Sequence, residues 1–156
     1  MLIDTHCHLN FKDFKKDADE VIKKTLQNGV KIINVGAQYS SSRRAVDYAE
    51  KYEDGVWAAT GLHPIHLFSL AKVSSEENCV ETFDYEKYSE LAENDKVVAI
   101  GEVGLDYHHF DADKKQVAKN IDLQKNVFEE FVLMSNEIKK PLAIHCWNAD
   151  KKDKEL

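Results

Sequence analysis

The 156-residue sequence lacks the features that mark membrane proteins, secreted proteins and proteins that coat nucleic acid. No stretch approaches the roughly 18 consecutive apolar residues that a membrane-spanning helix needs, and no basic region followed by an apolar one opens the chain as a signal peptide would. The three cysteines (Cys7, Cys79 and Cys146) are too widely spaced to form a disulfide framework. We therefore expect reduced thiols and a cytoplasmic location, with the nucleus as the alternative.

Excess positive charge is also absent, because the net charge is −7. This charge argues against a passive nucleic-acid coat, which would be basic. It leaves room for an enzyme that acts on nucleic acid, since bound cations supply a local positive field. The hydrophobic fraction of 43% and the charged fraction of 31% are ordinary for a globular protein, and the length suits one domain over residues 1–156.

Short β-prone runs alternate with helical patterns along the chain. The helical patterns have an apolar face of period 3.6, and the first of them, with Phe14, Ala18, Ile22 and Leu26 on one face, ends at Gly29. This alternation predicts parallel βαβ units with α/β architecture. The polar segment from Phe68 to Thr82 interrupts the rhythm and is expected to be a surface loop. The five predicted strands are Leu2–His6, Lys31–Val35, Gly55–Thr60, Val97–Ile100 and Pro141–His145.

Two histidines, His6 and His8, stand two residues apart at the end of the first predicted strand. Because side chains alternate across a strand, both imidazoles should point to one side and Cys7 to the other. Two imidazoles that converge at the end of a strand form a natural clamp for a metal ion.

Further residues that bind metals or transfer protons occupy the ends of the later strands. We predict that Glu102 ends the fourth strand, that His145 ends the fifth, and that His63 follows the third. The C-terminal ends of the strands of a parallel barrel meet at one face, where active sites are built. The sequence thus predicts a metal site at this face.

Other polar residues near these positions have a structural interpretation beside the functional one. Asp106 either accepts hydrogen bonds from the loop backbone or holds substrate, and the sequence does not separate these roles. His108 and His109 favour solvated loop positions, and His66 a loop position close enough to touch substrate. Cys7 and Cys146 alternate away from the site, and we expect both to pack in the core.

Four motifs together resemble the TatD family of metal-dependent deoxyribonucleases. They are IDTHCHLN at the start of the chain, GLHP at 61–64, AIGEVGLDY at 99–107 and PLAIHC at 141–146, in the family's order and spacing along essentially the whole chain. The resemblance implies a TIM (β/α)8-type barrel, of which about five βα units are present here. It also implies hydrolysis of DNA phosphodiesters, commonly from the 3′ end, with one to three divalent ions (Zn²⁺, Mn²⁺ or Mg²⁺) in the barrel mouth.

Carried over residue by residue, the resemblance makes His6 and His8 ligands of one metal. Glu102 would bridge to a second metal that His145 also binds, and His63 would contact substrate or solvent beside them. The sequence departs from the family at Trp147-Asn148, where an Arg-Asp pair is usual, and at Phe131, where a glutamine is frequent. Loss of that arginine would weaken a phosphate contact or change the substrate.

A complete barrel needs eight strands and about 250 residues, so we expect further residues or another chain to complete the five strands predicted here. Our first hypothesis is a deoxyribonuclease, of which this is the N-terminal part. The second keeps the barrel but makes it a zinc amidohydrolase, in which a carboxylated lysine often stands where Glu102 does here. The third is a truncated remnant without catalytic activity that binds metal or a partner.

Overall fold

Five parallel strands form one sheet in the part of the chain that the structure, a computed structural model, describes, namely residues 2–68, 80–109 and 114–149. The strands pair in the order of the chain, so each new strand adds to the same edge. The sheet curls into a half-barrel. The strands are β1 (Leu2–Cys7), β2 (Val30–Val35), β3 (Val56–Thr60), β4 (Val97–Asp106) and β5 (Leu142–Trp147).

Helices connect successive strands, as parallel pairing requires. They are α1 (Ala18–Gln27), α2 (Tyr39–Glu50), α3 (Tyr85–Ala92) and α4 (Lys114–Ile138), with short 3-10 turns at Lys12–Phe14 and Pro64–Leu67. The α/β fold class predicted from the sequence is thereby confirmed. Of the helices in the described residues, none is long and apolar enough to cross a bilayer.

The first helix begins later than its apolar pattern predicted. Phe14 belongs to a 3-10 turn and is 37% exposed, whereas Ala18 and Ile22 are buried on the inner face of α1. The end of the helix matches the prediction, because Gly29 follows it with a φ of 74° that a side chain would make costly. Most of the polar segment between Phe68 and Thr82, and with it Cys79, lies outside the described residues.

Two large apolar clusters, and a small third one around Tyr107 and Ile121, hold the helices against the sheet. The first packs α1 and α2 on the first three strands, and the second packs α3 and α4 on β4. Phe131, at the position where the family resemblance makes a glutamine frequent, is fully buried in the second cluster. Its ring centroid lies 4.7 Å from that of Phe83 and 5.3 Å from that of Tyr88. An apolar residue there is explained by this aromatic packing.

The two outer strands remain partly uncovered. On β1, Leu2 is 64% exposed, and on β5, Ile144 is 58% exposed, while the middle of the sheet is buried. Cys146 on β5 is also exposed, so the prediction that it packs in the core is wrong for the described chain. Cys7 does pack against the first cluster, and burial, aided by the charge of Asp4, raises the pKa of its thiol to about 11.

Candidate metal centre

Glu102 lies within β4 rather than at its end, because the strand continues to Asp106. The predicted end of this strand was therefore wrong. The pairing of β4 with β5 shifts register between Gly101 and Val103, which leaves Glu102 as the extra residue of a β-bulge. A bulge turns a side chain out of the regular alternation, and here the carboxylate lies near His145 of β5 and near the histidines at the C-terminal ends of β1 and β3.

His6 of β1 and His8, which directly follows this strand, lie close to the carboxylate of Glu102. The Nε2 atom of His6 is 3.3 Å from Oε2 of Glu102, and the two imidazole centroids are 4.9 Å apart. One potential ligand atom from each of the three residues lies within 4.8 Å of the others. The structure thus brings together the first set of residues that the sequence grouped.

The ring of His8 is oriented for coordination by its second nitrogen. Its Nδ1 lies 2.9 Å from the carbonyl oxygen of Val35, which only accepts hydrogen bonds, so Nδ1 carries the proton and Nε2 keeps its lone pair. The loop after β1 is fixed beneath it, because the Asn10 amide donates to the carbonyls of Val35 and Ser41, both at 3.0 Å. A backbone carbonyl on the distal nitrogen is the usual support for a metal-binding histidine.

His145 lies between two carboxylates, and β5 extends beyond it to Trp147 rather than ending there. Its Nδ1 is 3.1 Å from Oε1 of Glu102, and its Nε2 is 3.0 Å from Oδ2 of Asp106. Burial alone would lower the pKa of His145, but hydrogen bonds to Asp106 and Glu102 outweigh it and raise that pKa to about 9. Burial would likewise raise the pKa of Glu102, yet the hydrogen bond from His145 helps to bring it down to about 2.

Asp106 is the second carboxylate partner of His145, and the sequence did not separate its two possible roles. Its carboxylate is fully buried and accepts hydrogen bonds from His145 and His109, which together outweigh the effect of burial and lower its pKa. Gln124 of α4 fixes the backbone of Asp106 from the other side, accepting from its N–H at 2.8 Å and donating to its carbonyl at 2.9 Å. The sequence shows Gln124 as a polar residue on the apolar face of a long amphipathic helix, but it does not identify Asp106 as its partner.

His63 also lies near Glu102, but its protonation state differs from that of His145. Its Nδ1 accepts a hydrogen bond from the backbone N–H of Ile65 at 3.2 Å, so a neutral ring carries its proton on Nε2, which points at Oε1 of Glu102 from 3.8 Å. Burial, aided by the charge of His145, lowers the pKa of His63 to about 4, and the ring is neutral at pH 7. Although one atom of His63 lies within 4.8 Å of Glu102 and His145 ligand atoms, its Nε2–H is a donor rather than a ligand.

A cavity of about 250 Å³ opens beside these residues and is lined by His8, His63, His66 and Glu102. His66, expected in a loop, lies in the 3-10 turn after β3 and is buried. Burial lowers the pKa of His66 to about 4. The cavity wall thus offers the neutral imidazoles of His63 and His66 and the carboxylate of Glu102 to a bound molecule.

The two histidines in the loop after β4 are held more firmly by the rest of the protein than a solvated loop position implies. The backbone N–H groups of His108 and His109 both donate to Oδ1 of Asp106, at 3.0 and 3.1 Å. The Nδ1 of His109 lies 3.0 Å from Oδ2 of the same carboxylate, so the predicted solvated position holds for the exposed His108 but not for His109.

Gly104 permits β4 and β5 to approach each other beside His145. Its φ is 140°, a backbone conformation that residues with a side chain rarely adopt. A Cβ atom at this position would collide with the carbonyl oxygen of His145. The spacing of the two strands at the site therefore depends on a glycine here.

The family model "TatD related DNase" matches residues 3–156, and the chain belongs to this family. The resemblance inferred from the four motifs is thus confirmed. The chain is 37% identical over 146 residues to the "Uncharacterized metal-dependent hydrolase YabD" of Bacillus subtilis, covering 93% of this chain and 50% of that protein. It is 29% identical over 152 residues to the "3'-5' ssDNA/RNA exonuclease TatD" of Erwinia tasmaniensis, covering 97% of this chain and 52% of that protein.

The fold is also similar to a solved structure, that of the TatD homologue YJJV from Escherichia coli K12. The TM-score is 0.69 at 28% sequence identity, and the match covers 97% of this chain and 52% of the other. The described half-barrel therefore matches half of a TIM-type barrel. The chain spans about half the length of the curated relatives it matches.

Proposed function

We propose that the complete protein is a metal-dependent hydrolase that cleaves phosphodiester bonds in DNA from the 3′ end. The observation that carries the proposal is the central position of Glu102, whose carboxylate lies within 4.8 Å of ligand atoms on both sides of the site. A shared carboxylate between two groups of histidines is the arrangement that a site for two cations needs.

The donor atoms fit divalent cations. His6, His8 and Glu102 would hold one ion, and Glu102 with His145 would contribute to a second, with Asp106 orienting His145. Imidazole and carboxylate ligands suit Zn²⁺ and Mn²⁺, and Mg²⁺ where carboxylates dominate. Bound cations would neutralise phosphate oxygens and activate water for attack.

His63 has a separate role in this proposal. Because its proton is fixed on Nε2, it donates a hydrogen bond to a phosphate oxygen in the cavity rather than binding metal. The low pKa keeps the ring neutral across the physiological range, so its donor does not depend on pH there. His63 therefore contributes to positioning and charge stabilisation of the substrate.

A second cavity of about 310 Å³ supports a polyanionic substrate. Phe11 lines both cavities, and the second is lined further by Lys12, Lys15 and Arg44. A strand of DNA that leaves the metal centre past Phe11 thus meets cationic side chains, in a protein whose overall charge is negative. Such residues attract the phosphate backbone without reading its sequence.

Cleavage of a small cyclic amide, the second hypothesis from the sequence, has less support. Glu102 stands at the position where that class often uses a carboxylated lysine, and the family match is to DNase-related proteins. The relative from Erwinia tasmaniensis is named for exonuclease activity on single-stranded DNA and RNA, which favours a nucleic-acid substrate here too.

A labelled oligonucleotide tests the proposal. The complete gene product is incubated with 5′-labelled single-stranded DNA and with Mn²⁺, Mg²⁺ or Zn²⁺, and we expect products that shorten stepwise from the 3′ end. EDTA should stop the reaction, and Glu102→Gln should abolish it. Glu50→Gln is the matched control, since Glu50 is an exposed residue of α2 whose carboxylate hydrogen-bonds Asn94. Absence of metal-dependent cleavage, or equal activity of the two variants, would contradict the proposal.

A further inference from the structure

Trp147 lies at the mouth of the half-barrel, on the face of the sheet that carries His145. The two residues are two positions apart on β5, so their side chains share a face. In the described part of the chain the indole is 43% exposed although it is large and apolar, and its centroid is 6.5 Å from the imidazole centroid of His145. An exposed aromatic ring therefore lies two residues beyond the candidate metal ligand His145 along β5, towards the mouth of the half-barrel.

The indole is held in place by the loop after β4. The ring of His108 lies parallel to it at a centroid distance of 4.2 Å with 3° between the planes. The ring of His109 meets it edge-on at 5.1 Å and 87°. The Asp106 carboxylate fixes this loop through the backbone N–H groups of both histidines. The aromatic pair is thus oriented before any ligand arrives, which reduces the entropy lost on binding.

We propose that Trp147 is a stacking platform for the unpaired base of the nucleotide next to the scissile phosphate in single-stranded DNA. This inference rests on the proposed function. A nucleobase that stacks on the indole extends the two-ring stack with His108, while its phosphate reaches the cavity that Glu102 lines. Base–aromatic stacking tolerates any base because every base has a π-face, so Trp147 selects for unpaired ends rather than for sequence.

The geometry also predicts that unpaired ends are favoured over duplex ends. In a duplex, each base is paired and stacked between its neighbours, and its face reaches a protein aromatic ring only after unpairing. A single-stranded or frayed 3′ end presents that face at no such cost. Trp147 is therefore a specificity-determining residue that does not take part in the chemistry.

The test compares Trp147→Leu and Trp147→Phe with the wild-type complete gene product. The substrates are two 5′-labelled oligonucleotides, of which one has an abasic analogue in the 3′-terminal nucleotide. We expect Trp147→Leu to raise KM by roughly 5- to 150-fold with little change in kcat. Trp147→Phe, which keeps an aromatic face, should recover most of this loss. Trp57→Phe is the matched control, because Trp57 is partly buried on β3 beside Lys31.

The abasic substrate separates stacking from a structural role. Removing the base should weaken wild type by the same factor as Trp147→Leu, and should have no further effect on that variant. Additive losses, or a KM unchanged by Trp147→Leu, would overturn the proposal.

Binding is measured separately by fluorescence anisotropy of a labelled oligo(dT) with Ca²⁺ as the cation. If wild type fails to cleave DNA, the proposed function fails, and this binding assay decides about Trp147. Weaker binding by Trp147→Leu but not by Trp147→Phe would support stacking, and equal binding by all variants would overturn it.

Discussion

Replacement of Asp106 by asparagine should weaken metal binding although the residue touches no metal in our proposal. The two oxygens of the carboxylate have different partners: Oδ1 accepts from the backbone N–H groups of His108 and His109, and Oδ2 lies 3.0 Å from Nε2 of His145. An asparagine keeps an oxygen for the backbone donors but places an NH₂ group opposite Nε2. The NH₂ group only donates, so the ring of His145 must turn Nε2 into an acceptor.

In the neutral ring, which is the form that binds a cation, that change leaves the proton on Nδ1, the nitrogen that lies 3.1 Å from Glu102. A protonated Nδ1 has no lone pair for a cation at Glu102. Loss of such an orienting carboxylate typically costs 10- to 100-fold in metal affinity, or about 1.4–2.8 kcal/mol. We also expect the pKa of His145 to fall from about 9, because one of the carboxylates that raise it is gone.

Isothermal titration of the metal-free complete protein with Mn²⁺ measures the affinity, and an NMR pH titration of His145 measures the pKa. Asp54→Asn is the matched control, since Asp54 forms an exposed ion pair with Lys31 at 2.6 Å at the opposite end of the sheet. Equal Mn²⁺ affinity in wild type and Asp106→Asn, or the same loss in Asp54→Asn, would refute this reasoning.

Four other predictions concern the same centre. Glu102→Ala should abolish Mn²⁺ binding on both sides of the site, because the Glu102 carboxylate belongs to both groups of potential ligands. Glu50→Ala, the control, should leave the titration stoichiometry unchanged. One surviving Mn²⁺ site of wild-type affinity in Glu102→Ala would contradict the shared role. Since a metal must displace the proton of His145, Mn²⁺ affinity should rise by about tenfold per pH unit between pH 6.5 and about 9. A flat profile of Mn²⁺ affinity against pH would count against the protonated ring. In the metal-free protein the raised pKa of His145 stabilises the fold below pH 6.5, and this contribution to the free energy of unfolding is lost as the pH rises through about 9. Gly104→Ala should lower both the melting temperature and the Mn²⁺ affinity. Gly29→Ala, which is strained by a φ of 74° but has open space around it, should lower only the melting temperature. Unchanged Mn²⁺ affinity in Gly104→Ala would show that the strand spacing there is not critical.

The sequence was sufficient to predict the parallel sheet and the grouping of the main site residues. Apolar runs of strand length alternate with amphipathic helices, and this pattern admits few topologies. His6, Glu102 and His145 then converge because the C-terminal parts of parallel strands lie at one face. Their metal binding stays a prediction, as does completion of the barrel beyond β1 and β5.

The bulge at Glu102 and the contact between Asp106 and Gln124 were beyond the sequence. A bulge depends on the register of two strands that lie about forty residues apart in the chain, and register is set by tertiary packing. The strand was therefore predicted to end at Glu102, although it continues to Asp106. The buried glutamine was visible as a polar residue on an apolar helix face, but its partner depends on how α4 lies against β4.

The histidines of the site differ in what their second nitrogen contacts, and this difference assigns their roles better than their proximity does. His8 has a carbonyl on Nδ1 and His145 a carboxylate on Nε2, so each keeps its other nitrogen for a cation. His63 has an N–H donor on Nδ1, so its other nitrogen keeps the proton. All three rings lie close to Glu102, yet two are prepared to bind metal and one to donate a hydrogen bond. The partners that fix these states come from β2, from the end of β4 and from the 3-10 turn after β3, and so the chemistry of the site depends on elements outside the motifs that contain the histidines.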